Sequence, residues 1–174
     1  MNVDQEAKVK LLLTEKEFIF SFIYMKWKGI LMNAICSCII LIVYFRSVYE
    51  MTLLVNIAFS IFLIFLVVLP LGLLILSYQA KKEYKSNSTF HQEKIMQFND
   101  SGYTVISDDN NCNRHGWDYL HSVRETKRGF FLYYSIQSAT YVPKRCFHSE
   151  EDIMLFKSLV SKHLVPKRVH LKIS

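Results

Sequence analysis

The sequence predicts an α+β membrane protein: a two-helix transmembrane hairpin plus an antiparallel β-sheet domain capped by a C-terminal α-helix. Three observations predict it. Residues 29–45 and 51–80 contain no charged side chain, whereas most of the remaining chain is punctuated by charges. From Phe90 onward, apolar and polar residues alternate with period two between clusters of turn formers. Near the end, Ile153, Phe156, Val160 and Leu164 change to spacings of three and four, the signature of one apolar helix face. The overall share of hydrophobic residues, 51%, is close to ordinary, so their segregation carries the argument.

The chain divides accordingly into residues 1–28, an N-terminal strand and interfacial helix; 29–80, the transmembrane hairpin; and 85–174, a cytoplasmic domain. In the first part, KVKLLL at 8–13 opens as a strand, and it is expected to join the C-terminal sheet. Thr14 and Glu17 then have the spacing of a capping box. The following FIFSFIYMKW places Trp27 beside lysines, as expected at headgroup level. This helix either lies on the inner surface or runs straight into the first span.

The first charge-free stretch is 17 residues long and gains reach from Lys26 and Lys28 at its end. The second, read as helix over 52–78, is about 40 Å long at about 1.5 Å per residue, against a hydrocarbon core of about 30 Å. It must tilt or protrude, and Pro70 and Gly72 place a kink inside it. A soluble protein would need far more chain than remains to bury such a hairpin. The connecting RSVYE at 46–50 carries one charge of each sign, while Lys26, Lys28, Lys81, Lys82 and Lys85 flank the other ends. Positive flanks stay inside. The chain is expected to be multi-pass, with both termini cytoplasmic.

Within the spans, Asn33 and Asn56 are expected to lie between the helices and hold them together. No Asp, Glu, Lys, Arg or His interrupts either stretch, so nothing marks an ion or proton pathway. In a reducing compartment the four cysteines read as free thiols.

Strands are expected at 90–98, 103–107, 117–125, 130–136 and 139–146. Asn99-Asp100-Ser101-Gly102, the segment 108–113 and Thr126-Lys127-Arg128-Gly129 form the breaks. Ser149 opens the last helix with three acids at its positive end, and Pro166 closes it.

Trp117 followed by Leu120 and Val123, the aromatic FFLYY, then V-P-K-R-x-F and an acid-rich helix together resemble the YcxB-like bacterial membrane protein family. The T-E-K-E-F start and the two spans fit the same layout. The resemblance implies a cytoplasmic domain similar to bacterial pleckstrin-homology (PH) folds: a bent antiparallel sheet with a C-terminal helix plugging one end. It brings no reaction and no catalytic residue.

The run YVPKRCFHSEED at 141–152 is read chiefly as a strand end and a helix cap, with Val142 and Cys146 inward and Lys144 outward. Its sharper reading makes Lys144 and Arg145, with Lys167 and Arg168 of the tail, contacts for anionic headgroups or an acidic protein partner. Residues 85–174 carry 13 Lys and Arg against 9 Asp and Glu, which suits such a surface. No nucleic-acid motif accompanies the charge. Cys112, His115, Cys146 and His148 have spacings unlike structural zinc sites, and Asp109-x-Asn111-x-Asn113 lacks the glycine and the bidentate Glu of a calcium loop. No P-loop, dinucleotide turn or nucleophile elbow is present. No metal, cofactor or catalytic residue is therefore expected.

The resulting expectation is a non-enzymatic integral membrane protein. Its PH-like module, presented to the cytoplasm, meets a protein partner or the anionic membrane surface, and self-association is left open. The alternative is an immunity or regulatory protein whose hairpin itself acts on a toxin or a larger membrane complex.

Overall fold

The structure is a computed structural model that describes residues 6–49, 52–90, 92–107 and 112–171. The chain divides into two compact units. One comprises Met1–Phe18 with Asn87–Ser174, the other Ile19–Ser86. The helical unit is therefore inserted into the sequence of the β unit.

In the β unit, β1 (Ala7–Leu11) precedes the insertion, and β2 (Lys94–Asn99), β3 (Gly102–Ser107) and β4 (Cys112–His115) follow it as one antiparallel sheet in the order β1-β2-β3-β4. The strand expected at 8–13 thus forms, and its register sets Leu11 opposite Lys94 and Ala7 opposite Phe98. Alternation along β1 turns Ala7, Val9 and Leu11 into the core and leaves Lys8 and Lys10 exposed. A second sheet contains β5 (Ser122–Glu125), β6 (Gly129–Tyr133) and β7 (Ala139–Pro143), with the two-residue β8 (Val169–His170) parallel to β5, in the order β7-β6-β5-β8. A single bridge between Val9 and Phe147 joins the edge of the first sheet to the chain leaving the second.

α4 (Glu150–His163) fills the space between the sheets. Ser149 Oγ accepts from the Asp152 amide at 3.2 Å, which fixes the start of the helix. Its inward face is the expected one, Ile153, Phe156, Val160 and Leu164, with Leu159 added. Phe156 is the hub of this core: its ring centroid lies 4.7 Å from that of Phe98, 5.1 Å from Phe130 and 5.5 Å from Phe147.

Several boundaries differ from the sequence reading. The expected strand at 90–98 begins only at Lys94, because residues from Ser88 to Phe90 form a 3-10 turn. Trp117–Tyr119 is likewise a 3-10 turn, so β5 starts at Ser122. β6 ends at Tyr133, leaving Ile136 exposed in the following turn, and β7 ends at Pro143. β4 lies partly where a turn was expected at 108–113, of which residues 108–111 fall outside the described residues. The Asn99–Gly102 turn forms as read. Asn99 Oδ1 accepts from the Ser101 amide and hydroxyl, and Gly102 adopts φ +146°, where an added Cβ would strike the His115 carbonyl.

In the helical unit, α1 (Glu15–Tyr49) is one unbroken helix, so the lead-in segment runs directly into the first apolar stretch. The second helix is built from α2 (Leu53–Leu63), a π turn (Ile64–Val68) and α3 (Leu69–Ser86), and extends past the expected end at residue 78. The π turn has a local cause. Pro70 would press its ring on the Leu66 carbonyl in a regular α turn, and the backbone widens just ahead of it, with the Leu69 amide donating to the Ile64 carbonyl. Near Pro70, where a kink was expected, the helix carries this π turn. The two helices meet through Phe45 and Phe59, edge to face at 5.1 Å between centroids, and through Gly72, which lies against Ile30. Asn56, Ser60 and Ile64 are buried on this seam, but Asn33 is exposed. Only one of the two amides expected between the helices is there. Both helices are long and apolar enough to cross a membrane, and most of their large apolar side chains are exposed.

Candidate functional site

The expected cationic residues fall into two groups. Lys144 and Arg145 lie in the 3-10 turn Lys144–Cys146 that follows β7, and each is held by a carboxylate of the same β unit. Glu125 is the inward residue after Val123 in β5, and its side chain is 1% exposed. Lys144 Nζ donates to its Oε1 at 2.6 Å, and Lys157 Nζ of α4 lies 3.0 Å from its Oε2. The Lys144 ammonium also lies 5.6 Å from the Phe130 ring centroid. Lys144 was expected to point outward. It is instead half-buried, because two cations are needed to offset a carboxylate withdrawn from water.

Arg145 makes a two-pronged contact with Glu17. Its Nε donates to Oε1 at 2.7 Å and its Nη2 to Oε2 at 2.6 Å, and Nη2 also donates to the Leu12 carbonyl at 2.9 Å. Glu17 closes the expected capping box as well, accepting from the Thr14 amide and hydroxyl at 2.9 Å each. It stands in the first turn of α1, ahead of the charge-free residues 29–45. Chiefly the hydrogen bonds from Arg145 hold its carboxyl at about 2, well below its ordinary 4.5. Beside this clip, the Phe18 and Phe90 rings pack at 4.5 Å between centroids. The chain therefore leaves and re-enters the β unit through a fastened neck.

Lys167 and Arg168 form the second group. They are exposed in the 3-10 turn Pro166–Arg168, and neither makes an ion pair among the described residues. At the far end of α4, Asp100 accepts from Lys162 at 2.7 Å and faces His163 Nε2 at 2.8 Å. Those contacts, that of Lys162 first, lower its pKa. His163 stacks on Trp117, with planes 3° apart, and Trp117 Nε1 donates to the Asn99 carbonyl.

On the outer face of the first sheet, Lys8, Lys10, Ile95 and Gln97 line an open groove of about 640 Å³ that continues to Arg145 and His148. Cys146 is buried in the 3-10 turn after β7, whereas Cys112 is exposed on β4. Among the described residues, no three His, Cys, Asp or Glu side chains come together as a metal site would require.

Sequence reasoning missed Glu125 and Lys157. The signal was present: period two along β5 puts Glu125 on the same face as Val123, and an acid on an inward face demands cations. Glu17 was read only as a cap. Its contact with Arg145 joins residues 128 positions apart, and no local pattern announces it.

Residues 98–160 match the family model described as YcxB-like protein. The chain carries a YcxB-like domain. A protein of Bacillus subtilis (strain 168) named "Uncharacterized protein YcxB" is similar, 28% identical over 100 residues that make up 58% of this chain and 54% of the relative. The chain thus spans about half the length of the curated relative that it matches. No solved structure matches. The YcxB-like segment runs from the end of β2 to α4 and includes Glu125, Lys144 and Lys157 entirely. The neck clip is different in kind, since Arg145 lies inside the YcxB-like segment and Glu17 outside it.

Proposed function

We propose that the protein is a non-enzymatic integral protein of the bacterial cytoplasmic membrane, which holds its YcxB-like domain against the cytoplasmic face as a PH-like interaction module. One observation carries this reading: the helical hairpin is inserted between β1 and β2, whose ends at Leu11 and Lys94 are paired across the sheet. The chain therefore passes between the β unit and the hairpin at two adjacent points of one strand pair, and Arg145 and Glu17 clip the β unit beside them.

Other features support the same reading. Exposed apolar side chains along both helices suit a lipid environment and would be costly in water. Two largely antiparallel sheets with a C-terminal helix between them resemble the PH arrangement. Lys144 and Arg145 serve carboxylates within the domain, so contact with an anionic surface or an acidic partner falls to Lys167 and Arg168. The test is fractionation of the full chain expressed in a bacterium. Alkaline carbonate is expected to leave it in the membrane pellet, and protease added to intact spheroplasts is expected to spare the YcxB-like domain. Release by carbonate, or loss of the domain to external protease, overturns the reading.

A further inference from the structure

We propose that one face of α3, formed by Tyr78, Lys81, Lys82 and Lys85, binds the phosphate of an anionic phospholipid headgroup. This rests on the reading that α3 leaves a bilayer at that level. The four residues are spaced i, i+3, i+4 and i+7 within one regular helix, which places them in an arc of about 100°. Glu83, the nearest acid in sequence, points about 140° away from Tyr78 at the same helical pitch. All four side chains are exposed, and with Ser86 they line a shallow hollow of about 430 Å³.

What adjoins this face identifies the ligand. One to two turns toward the apolar stretch, Leu71, Leu74 and Ile75 are exposed, so the cationic face continues directly into an apolar one. A phospholipid has the matching order of parts: acyl chains along the leucines, the phosphate at the phenol and ammonium groups. Lysine ammonium groups are compact, strongly hydrated point charges with freely rotating donors, which suits a phosphate at a wet boundary. A nucleotide would leave the apolar half unused, and the hollow lacks a second aromatic ring to receive a base.

The experiment embeds the purified full chain in nanodiscs of equal phosphatidylglycerol and phosphatidylcholine, then counts co-retained lipids by native mass spectrometry after release. The wild type is expected to retain phosphatidylglycerol over phosphatidylcholine by about tenfold or more, since each lysine near an anionic surface is worth roughly fivefold. The variant carrying K81Q, K82Q and K85Q is expected to fall to near parity, the milder pair K82Q and K85Q to lie between, and E83Q to match wild type. Parity in the wild type, or undiminished preference in the triple variant, overturns the site. Displacement of the lipid by millimolar inorganic phosphate would overturn the lipid assignment, because the acyl chains would then contribute nothing. A chain that resists carbonate but shows parity refutes this site alone, whereas one that carbonate releases refutes the membrane reading beneath it.

Discussion

Glu125 is an acid in a position that the strand pattern reserves for apolar side chains, and its two lysines come from different elements, the 3-10 turn after β7 and the middle of α4. It thereby ties the second sheet to the plugging helix. Glu125→Ala would leave two ammonium groups facing an apolar wall. We expect a loss of about 3 kcal/mol, the low end for breaking a buried pair, because Lys144 retains about a third of its side-chain exposure. Urea unfolding in mild detergent, followed by tryptophan emission, measures it, and a loss below about 1 kcal/mol would place the network among ordinary surface pairs. Glu17 makes a prediction in pH. Its carboxyl titrates at about 2 when folded and near 4.5 when free, so the unfolded chain holds the proton more tightly. The contribution of the clip is complete above about pH 5 and disappears as pH falls toward about 2. The difference in urea midpoint between wild type and Glu17→Gln should therefore shrink from pH 6 to pH 3. A difference that grows over that range contradicts the ion pair.

The elements that could be read from the sequence are those set by neighbouring residues. Thr14 and Ser149 cap as their spacing requires, the face of α4 follows its period, and Asn99–Gly102 turns as its residues prefer. Ser149→Ala is expected to cost about 1 kcal/mol and Phe156→Ala about 4 kcal/mol, both by urea unfolding, since the first loses one cap bond and the second empties the middle of the core. Equal effects would mean that α4 does not plug the sheets. The unread elements depend on distant partners. β4, with the sequence CNRH, has no Val, Ile, Leu, Phe, Tyr or Trp to mark it and exists because β3 offers an open edge. β8 is two residues long and is defined only by lying beside Val123 and Arg124. The clip between Arg145 and Glu17 was hidden for the same reason, and its cation was read instead as a contact for anionic headgroups or an acidic partner.

At the scale of the whole molecule, the insertion of a helical hairpin between two paired strands predicts that the β unit is separable. Replacing residues 14–91 with a short turn of the Asn-Gly type should give a soluble protein with the circular dichroism of a sheet domain, because Leu11 and Lys94 are already neighbours. It should be less stable than the parent, having lost Glu17, Phe18 and Phe90. An insoluble or unfolded product would show that the helices are part of the fold rather than an addition to it. The same insertion has a mechanical meaning. If the ends of the two helices that adjoin β1 and β2 in sequence were drawn apart, the load would arrive at Leu11 and Lys94 from opposite sides, and β1 would peel from β2 one rung at a time, like a zipper opened from its end. The guanidinium at Arg145 sits ahead of the first rung, as a catch that has to let go before any tooth can part.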